Sequence, residues 1–195
     1  MGKLFCILGK SASGKDRFYN DLMADPDLRL FSVVTYTTRP MREGEVDGET
    51  YNFTDEEGFR ALKEAGRIIE DRCYQTVMGP WRYFTADDGQ IDFEKGNSLT
   101  IVTLEAYDKI KEYFGGDKVL PIYIEVEDGE RLIRAIRREQ QQKKPAYEEM
   151  CRRFLADAKD FSEERLLASG IKKRYDNIDY DICYKAIKQD ILEHM

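Results

Sequence analysis

The stretch LFCILGKSASGKD, residues 4–16, constrains this chain more than any other. Leu4, Phe5, Cys6, Ile7 and Leu8 make an apolar run with the length of a buried strand, and it breaks off at Gly9. Gly9, Lys10, Ser11, Ala12, Ser13, Gly14 and Lys15 then fit the phosphate-cradling pattern G-x-x-x-x-G-K. Glycines let the backbone curl so that successive N–H groups point at phosphate oxygens, and the N-terminus of a following helix adds positive charge. Arg17, Phe18, Tyr19, Asp21, Leu22 and Met23 supply that helix, and Lys15 supplies a mobile cation. The order strand, loop, helix predicts a polyphosphate site. Where such loops carry a hydroxyl for Mg²⁺ after the lysine, this one carries Asp16.

Several function classes are disfavoured by composition. A net charge of −7 argues against a nucleic-acid binder, whose footprint is basic, so an anionic ligand needs a local cationic cluster. The four cysteines (Cys6, Cys73, Cys151, Cys183) form no C-x-x-C pair, and the one histidine, His194, stands near the C-terminal end. Zinc sites and histidine-based nucleophilic triads therefore drop out. No apolar run reaches a membrane span and no signal peptide is evident, so the chain reads as cytoplasmic and reduced. A length of 195 residues suits one α/β domain with a small inserted lid.

Further along, residues 30–36 (LFSVVTY) read as one buried strand, and Arg39 and Arg42 follow beside Thr35 and Thr38. Two arginines three apart suit either a forked clamp for a phosphate or carboxylate, or a solvated loop. Thr54 opens an apparent capping box before a helix with Phe59, Leu62 and Ala65 on one face, stopped by Gly66. Residues 67–71 (RIIED) read as a short strand, and residues 72–98 as irregular. Residues 99–104 read as a buried parallel strand, 106–114 as a helix ended by Gly115 and Gly116, and 119–126 as a central strand with Pro121 at an entry bend. From 127 to 165 the chain is charged and helical, with Arg131, Arg134, Arg137 and Arg138 before a polar break and Arg152 and Arg153 after it. Arginines three and four apart share a helix face and repel unless an anion lies between them. Residues 179–184 read as a short strand before a terminal helix. Strands alternating with helices imply a parallel sheet with right-handed crossovers.

Taken in order, GKSASGKD, TYTTRPMREGEVDGETYNF, IIED and the arginine-rich RAIRR and RRF segments resemble the guanylate kinase family along nearly the whole chain. The pattern T-T-R-x-x-R-x-G-E-x-x-G-x-x-Y is the most specific part. The resemblance implies an α/β fold of the P-loop NTPase type, a parallel sheet flanked by helices with a small acceptor-binding subdomain and a helical lid. It implies a core of residues 1–35, 96–128 and 166–195, an acceptor-binding subdomain of 36–95 and a lid of 129–165. The implied activity is transfer of the γ-phosphoryl of ATP, with Mg²⁺, to a nucleoside monophosphate, chiefly GMP, in purine nucleotide metabolism. The implied partners are small-molecule nucleotides, with neither nucleic acid nor membrane, for a monomer or homodimer.

Carried over by position, Gly9 to Asp16 and Arg134 hold the ATP phosphates, with Asp16 toward the metal. Lys15, Arg42, Arg138 and Arg153 attend the transferred group. Thr35, Arg39, Arg42, Tyr51, Tyr83, Thr85, Thr103 and Glu105 hold the acceptor, and Glu70 accepts hydrogen bonds from the guanine ring. A carboxylate suits guanine because its two oxygens accept from adjacent N–H donors, a pair adenine lacks. Four differences from the family pattern stand out: Asp16, Lys10 where the family often has proline, Thr103 and Glu105 in place of an aspartate pair spaced D-x-D, and about four extra residues between Glu70 and Tyr83. Two other readings share the residues: a kinase of the same fold acting on another phosphorylated acceptor, and a non-catalytic module binding a phosphorylated ligand.

Overall fold

The computed structural model describes residues 2–42, 44–76 and 79–195; Glu43 of the clamp motif, and Val77 and Met78 of the long segment after Glu70, lie outside them. Strand β1, Leu4–Leu8, has every residue buried because both faces of its sheet are covered, which is why its sequence is continuously apolar rather than alternating. Phe5 and Ile7 pack with Phe18 and Leu22 of α1 (Lys15–Ala24) and with Ile187 and Ile191 of α7 (Tyr180–Glu193). Leu4, Cys6 and Leu8 point the other way, toward Ala106, Tyr107 and Ile110 of α3 (Leu104–Phe114) and Leu166 of α6 (Glu163–Ala168). Each buried side chain of this size contributes roughly 1.5–3 kcal/mol.

The sheet is parallel in the order β2-β7-β1-β8-β9, with β2 at Phe31–Ser32, β7 at Ser98–Ile101, β8 at Val119–Glu125 and β9 at Tyr175–Asp176. Pro121 lies within β8 opposite Cys6 rather than at an entry bend. Leu4 N–H donates to Lys118 O, and Asn177 N–H donates to Glu125 O. By that alternation Pro121 faces the β9 side, where β9 pairs only with Ile124 and Glu125, so its missing N–H costs no ladder bond.

A second sheet, β4-β3-β6-β5, is built from β3 (Tyr36–Thr37), β4 (Asn52–Phe53), β5 (Ile68–Thr76) and β6 (Gly79–Ala86), and rests on α2 (Glu56–Glu64) through Phe59, Phe84 and Ala86. Helices α4 (Asp128–Gln140) and α5 (Tyr147–Asp160) complete the chain. Among the described residues no helix is long and apolar enough to cross a membrane.

Five further expectations change. The run 30–36 is not one buried strand: Phe31 and Ser32 sit exposed at the edge of the first sheet, and Tyr36 and Thr37 belong to the second. A continuous β-forming run carries no sign that the chain changes partners midway. Among the described residues of 72–98, only 87–97 are irregular, since β5 and β6 pair antiparallel up to Ala86. The strand near 99–104 ends at Ile101, because Thr103 Oγ1 accepts from Ala106 N–H and caps α3. Residues 179–184 open α7 instead of forming a strand, Asp179 accepting from Ile182 N–H at 3.0 Å. Similarly, Asp55 rather than Thr54 caps α2.

Candidate active site

The phosphate loop is shaped by close approach. A Cβ at Gly9 would come within 2.7 Å of both Ile124 O and Ser13 Oγ, and one at Gly14 within 2.9 Å of Asn177 Nδ2. Gly14 also takes a left-handed φ of 90° and Ala12 one of 63°. Two long-range bonds brace the loop from behind. Asn177 Nδ2 donates to Ser13 O at 2.9 Å, and Arg131 Nη1 donates to Ser11 O at 2.9 Å. Ser13 is wholly buried, its Oγ without a partner among the described residues. Lys10 is drawn to Asp128 Oδ1, 3.2 Å away.

An anionic oxygen already lies against this loop. Asp157 of α5 places Oδ2 2.7 Å from the N–H of Ser11, with Arg131 Nη1 3.4 Å from the same oxygen. Beside it, Ser11, Ala12, Gly14, Lys15 and Asp16 face Arg134, Arg138 and Arg153 across a cleft of about 190 Å³. Arg134 is tied to Glu130 and to Asn177 O. Arg152 is spent on Glu149, whereas Arg153 enters no ion pair among the described residues. Burial pushes the Lys15 ammonium below the ordinary lysine value; the carboxylates of Asp16 and Asp157 oppose that shift, and Arg153 and Arg138 add to it. Lys15, Arg134, Arg138 and Arg153 thus line one cleft, with Asp16 the carboxylate among them.

A second cleft, of about 330 Å³, opens between the loop and the second sheet. Ser11, Lys15, Arg153 and Asp157 line it from the loop side, and Thr35, Tyr51, Arg72, Tyr83 and Thr103 from the other. Tyr51 meets Tyr83 edge to face at 5.8 Å, and burial raises its hydroxyl above the ordinary tyrosine value. Arg39 is buried behind Tyr51, its guanidinium 5.0 Å from that ring, and both terminal nitrogens bond Glu45, Nη1 to Oε2 at 2.7 Å. That pairing, with Arg42 N–H donating to Oε2 at 2.8 Å, holds the Glu45 carboxyl down at about 2. The Arg42 side chain is exposed and lines neither cleft.

Glu70 is sealed. It is 2% exposed, Oε1 accepts from Thr85 Oγ1 at 2.8 Å, and the Arg72 guanidinium lies across both oxygens, Nε at 3.1 Å and Nη2 at 3.4 Å. Arg72 Nη1 in turn donates to Thr103 Oγ1 at 3.2 Å. Glu105 stands outside both clefts on α3, paired with Lys109 at 3.1 Å. The fold thus gathers Lys15, Asp16, Arg134, Arg138 and Arg153 at one cleft and Thr35, Tyr51, Tyr83 and Thr103 at the other. It leaves Arg42 and Glu105 aside and keeps Arg39, Glu70 and Thr85 beneath the surface. Sequence reasoning passed over Arg72, Asp157 and Asn177, and read Arg131 only as one of an arginine cluster. Arg72 alone had a local signal, since residues two apart on a strand share a face with Glu70.

The sequence model of the family described as guanylate kinase matches residues 1–80. The chain is 40% identical over 85 residues to a guanylate kinase of Rhodopseudomonas palustris (strain HaA2), covering 40% of this chain and 38% of that protein. It is 41% identical over 69 residues to one of Paraburkholderia xenovorans (strain LB400), covering 35% of this chain and 30% of that protein. These alignments span less than two fifths of the relatives' own lengths. The whole chain superposes on a guanylate kinase from Anaplasma phagocytophilum with a TM-score of 0.64 and 23% identity, covering 100% of this chain and 87% of that one. The guanylate kinase fold therefore extends beyond the matched segment, as an α/β sheet flanked by helices.

Proposed function

We propose that this chain transfers the γ-phosphoryl group of ATP to a nucleoside monophosphate, GMP foremost, as a cytoplasmic enzyme working as a monomer or homodimer. The observation that carries the reading is that the two clefts share Ser11, Lys15 and Arg153. Phosphoryl transfer asks little covalent chemistry of a protein; it asks that two anions meet in line with cations spread around the migrating group and water kept out. A donor in the smaller cleft and an acceptor in the larger one would meet at those three residues, with Arg134 and Arg138 toward the donor. The stand-in oxygen of Asp157 on Ser11 N–H supports the loop's fitness for a phosphate oxygen.

ATP fits the cradle, where glycine at position 9 is required by contact. Mg²⁺ would neutralise charge between the donor phosphates. Asp16 offers it a hard oxygen where the usual hydroxyl is missing, and no group of three or more metal-ligating side chains assembles among the described residues. The metal would therefore arrive with the nucleotide. In this reading 36–95 is the acceptor-binding subdomain and 129–165 a lid, and closure of Arg138 and Arg153 over the phosphates excludes water.

A coupled ATP/Mg²⁺ assay over GMP, dGMP, AMP, UMP, CMP and sugar phosphates tests the reading. Turnover on the guanine nucleotides is expected. ATP binding without turnover on any acceptor would refute it in favour of a binding module. The sealed state of Glu70 favours one second reading, a kinase of this fold whose acceptor is recognised by something other than that carboxylate.

A further inference from the structure

Guanine's N1–H and N2–H need an open carboxylate edge, and Glu70 does not offer one. Its Oε1 carries Thr85 Oγ1 and Arg72 Nη2, its Oε2 carries Arg72 Nε, and its side chain is 1% exposed. What lines the cleft is the other member of that pair, Arg72, whose side chain is 18% exposed and whose guanidinium reaches Thr103 of the same lining. Arginine has five N–H donors. Glu70 takes one from Nε and one from Nη2, and Thr103 takes one from Nη1, which leaves one on each terminal nitrogen. A carboxylate on one edge and a hydroxyl on Nη1 fix the plane of the fork. Held this way, it is a bidentate donor looking for two adjacent acceptors.

We propose that Arg72 is the specificity-determining residue for the acceptor, reading O6 and N7 of a 6-oxopurine, with Glu70 and Thr103 as the residues that position it. The inference rests on the kinase reading above and narrows its substrate class. Guanine and hypoxanthine both present the O6 and N7 acceptor pair that an arginine fork matches, whereas adenine turns an amino group toward it. The 2-amino group of guanine has no assigned partner in this arrangement, so IMP is accepted alongside GMP. That selectivity would not follow from recognition by Glu70, which requires the donors at N1 and N2. A positive charge at this place also offsets Glu70, so the pocket does not repel the acceptor's phosphate as a bare buried carboxylate would.

The test measures KM and kcat with ATP/Mg²⁺, and the dissociation constant by calorimetry, for GMP, IMP, 7-deaza-GMP and AMP with the full chain. GMP and IMP are expected within about threefold of each other, 7-deaza-GMP about tenfold weaker, and AMP inactive. Arg72→Met is expected to raise KM and the dissociation constant for GMP and IMP about ten- to hundredfold with kcat little changed. Arg72→Lys retains the charge without the fork and restores only part of the loss. An unchanged melting profile of the lysine variant separates this from misfolding. IMP binding more than tenfold worse than GMP, or Arg72→Met binding GMP as tightly as the wild type or more tightly, overturns the proposal, because guanine then displaces Arg72 and reaches Glu70. Absence of turnover on every 6-oxopurine overturns the kinase reading itself, a result distinguishable from GMP turnover with IMP rejected.

Discussion

Arg131→Met is the most informative single perturbation of the framework. The Arg131 side chain is 1% exposed, donates from Nε and Nη2 to Asp128 Oδ1 at 3.1 and 2.9 Å, and reaches Ser11 O and Asp157 Oδ2 through Nη1. Its guanidinium also lies 4.7 Å from the Phe154 ring, so methionine replaces part of the packing but none of the hydrogen bonds. Breaking a buried ion pair by removing one partner costs roughly 3–5 kcal/mol, because the other charge is left uncompensated. Here the lower end applies. Asp128 is half exposed and keeps Lys10 at 3.2 Å, which leaves Asp157, 16% exposed, and the Ser11 carbonyl as the stranded groups. A loss of about 3 kcal/mol shifts the melting temperature of a chain this size by about 6–12 °C. Urea unfolding at neutral pH measures it, the midpoint falling with an unchanged slope. Because Arg131 also tethers the loop at Ser11, the KM for ATP should rise with it. The double variant Arg131→Met/Asp157→Leu, which removes both charges, should recover a large share of the stability. A single-variant loss below about 1 kcal/mol, or a double variant no more stable than the single, would refute this account of a desolvated tie.

Three further outcomes are expected. Gly9→Ala pushes a methyl within 2.7 Å of the Ile124 carbonyl and Ser13 Oγ, so the loop must shift; ATP KM should rise more than about tenfold in steady-state assays, and an unchanged KM would show that the loop has room. Lys15 is lowered from the ordinary 10.5 by burial, so kcat/KM for ATP should fall on a basic limb lying below pH 10.5, and Lys15→Met should lose at least about a hundredfold in turnover; a limb at or above 10.5 contradicts the assigned environment. Glu45 has its carboxyl held at about 2 by Arg39, against 4.5 ordinarily, so the pair's stabilisation is fully present above about pH 4.5 and disappears as pH falls through about 2. The stability gap between wild type and Glu45→Gln should accordingly narrow over that window, and a gap constant from pH 5 to 2 would dissociate Glu45 from the clamp's integrity.

What the residues determine on their own is local. The order β1, loop, α1 is legible because each part is specified within a few residues: a run buried on both faces, glycines where a Cβ has no room, and a helix following at once. The helices bearing Arg134, Arg138 and Arg153 follow from composition and from the break between them.

Tertiary structure decides what each charge is for. Arg131 and Arg134 are indistinguishable as arginines on one helix, yet one is a buried tie to the loop and the other faces the phosphate cleft, because only folding shows which side α4 turns to Ser11. Asp157 meets the Ser11 amide across 146 residues of chain, and Asn177 meets Ser13 across 164. No periodicity within either segment records such a partner. Glu70 and Arg72 are near neighbours, but their consequence depends on Thr103 arriving from another element and on burial that leaves the guanidinium, not the carboxylate, at the cleft. Propensity and spacing are short-range properties of the chain. Which polar group keeps contact with solvent is decided by what packs over it.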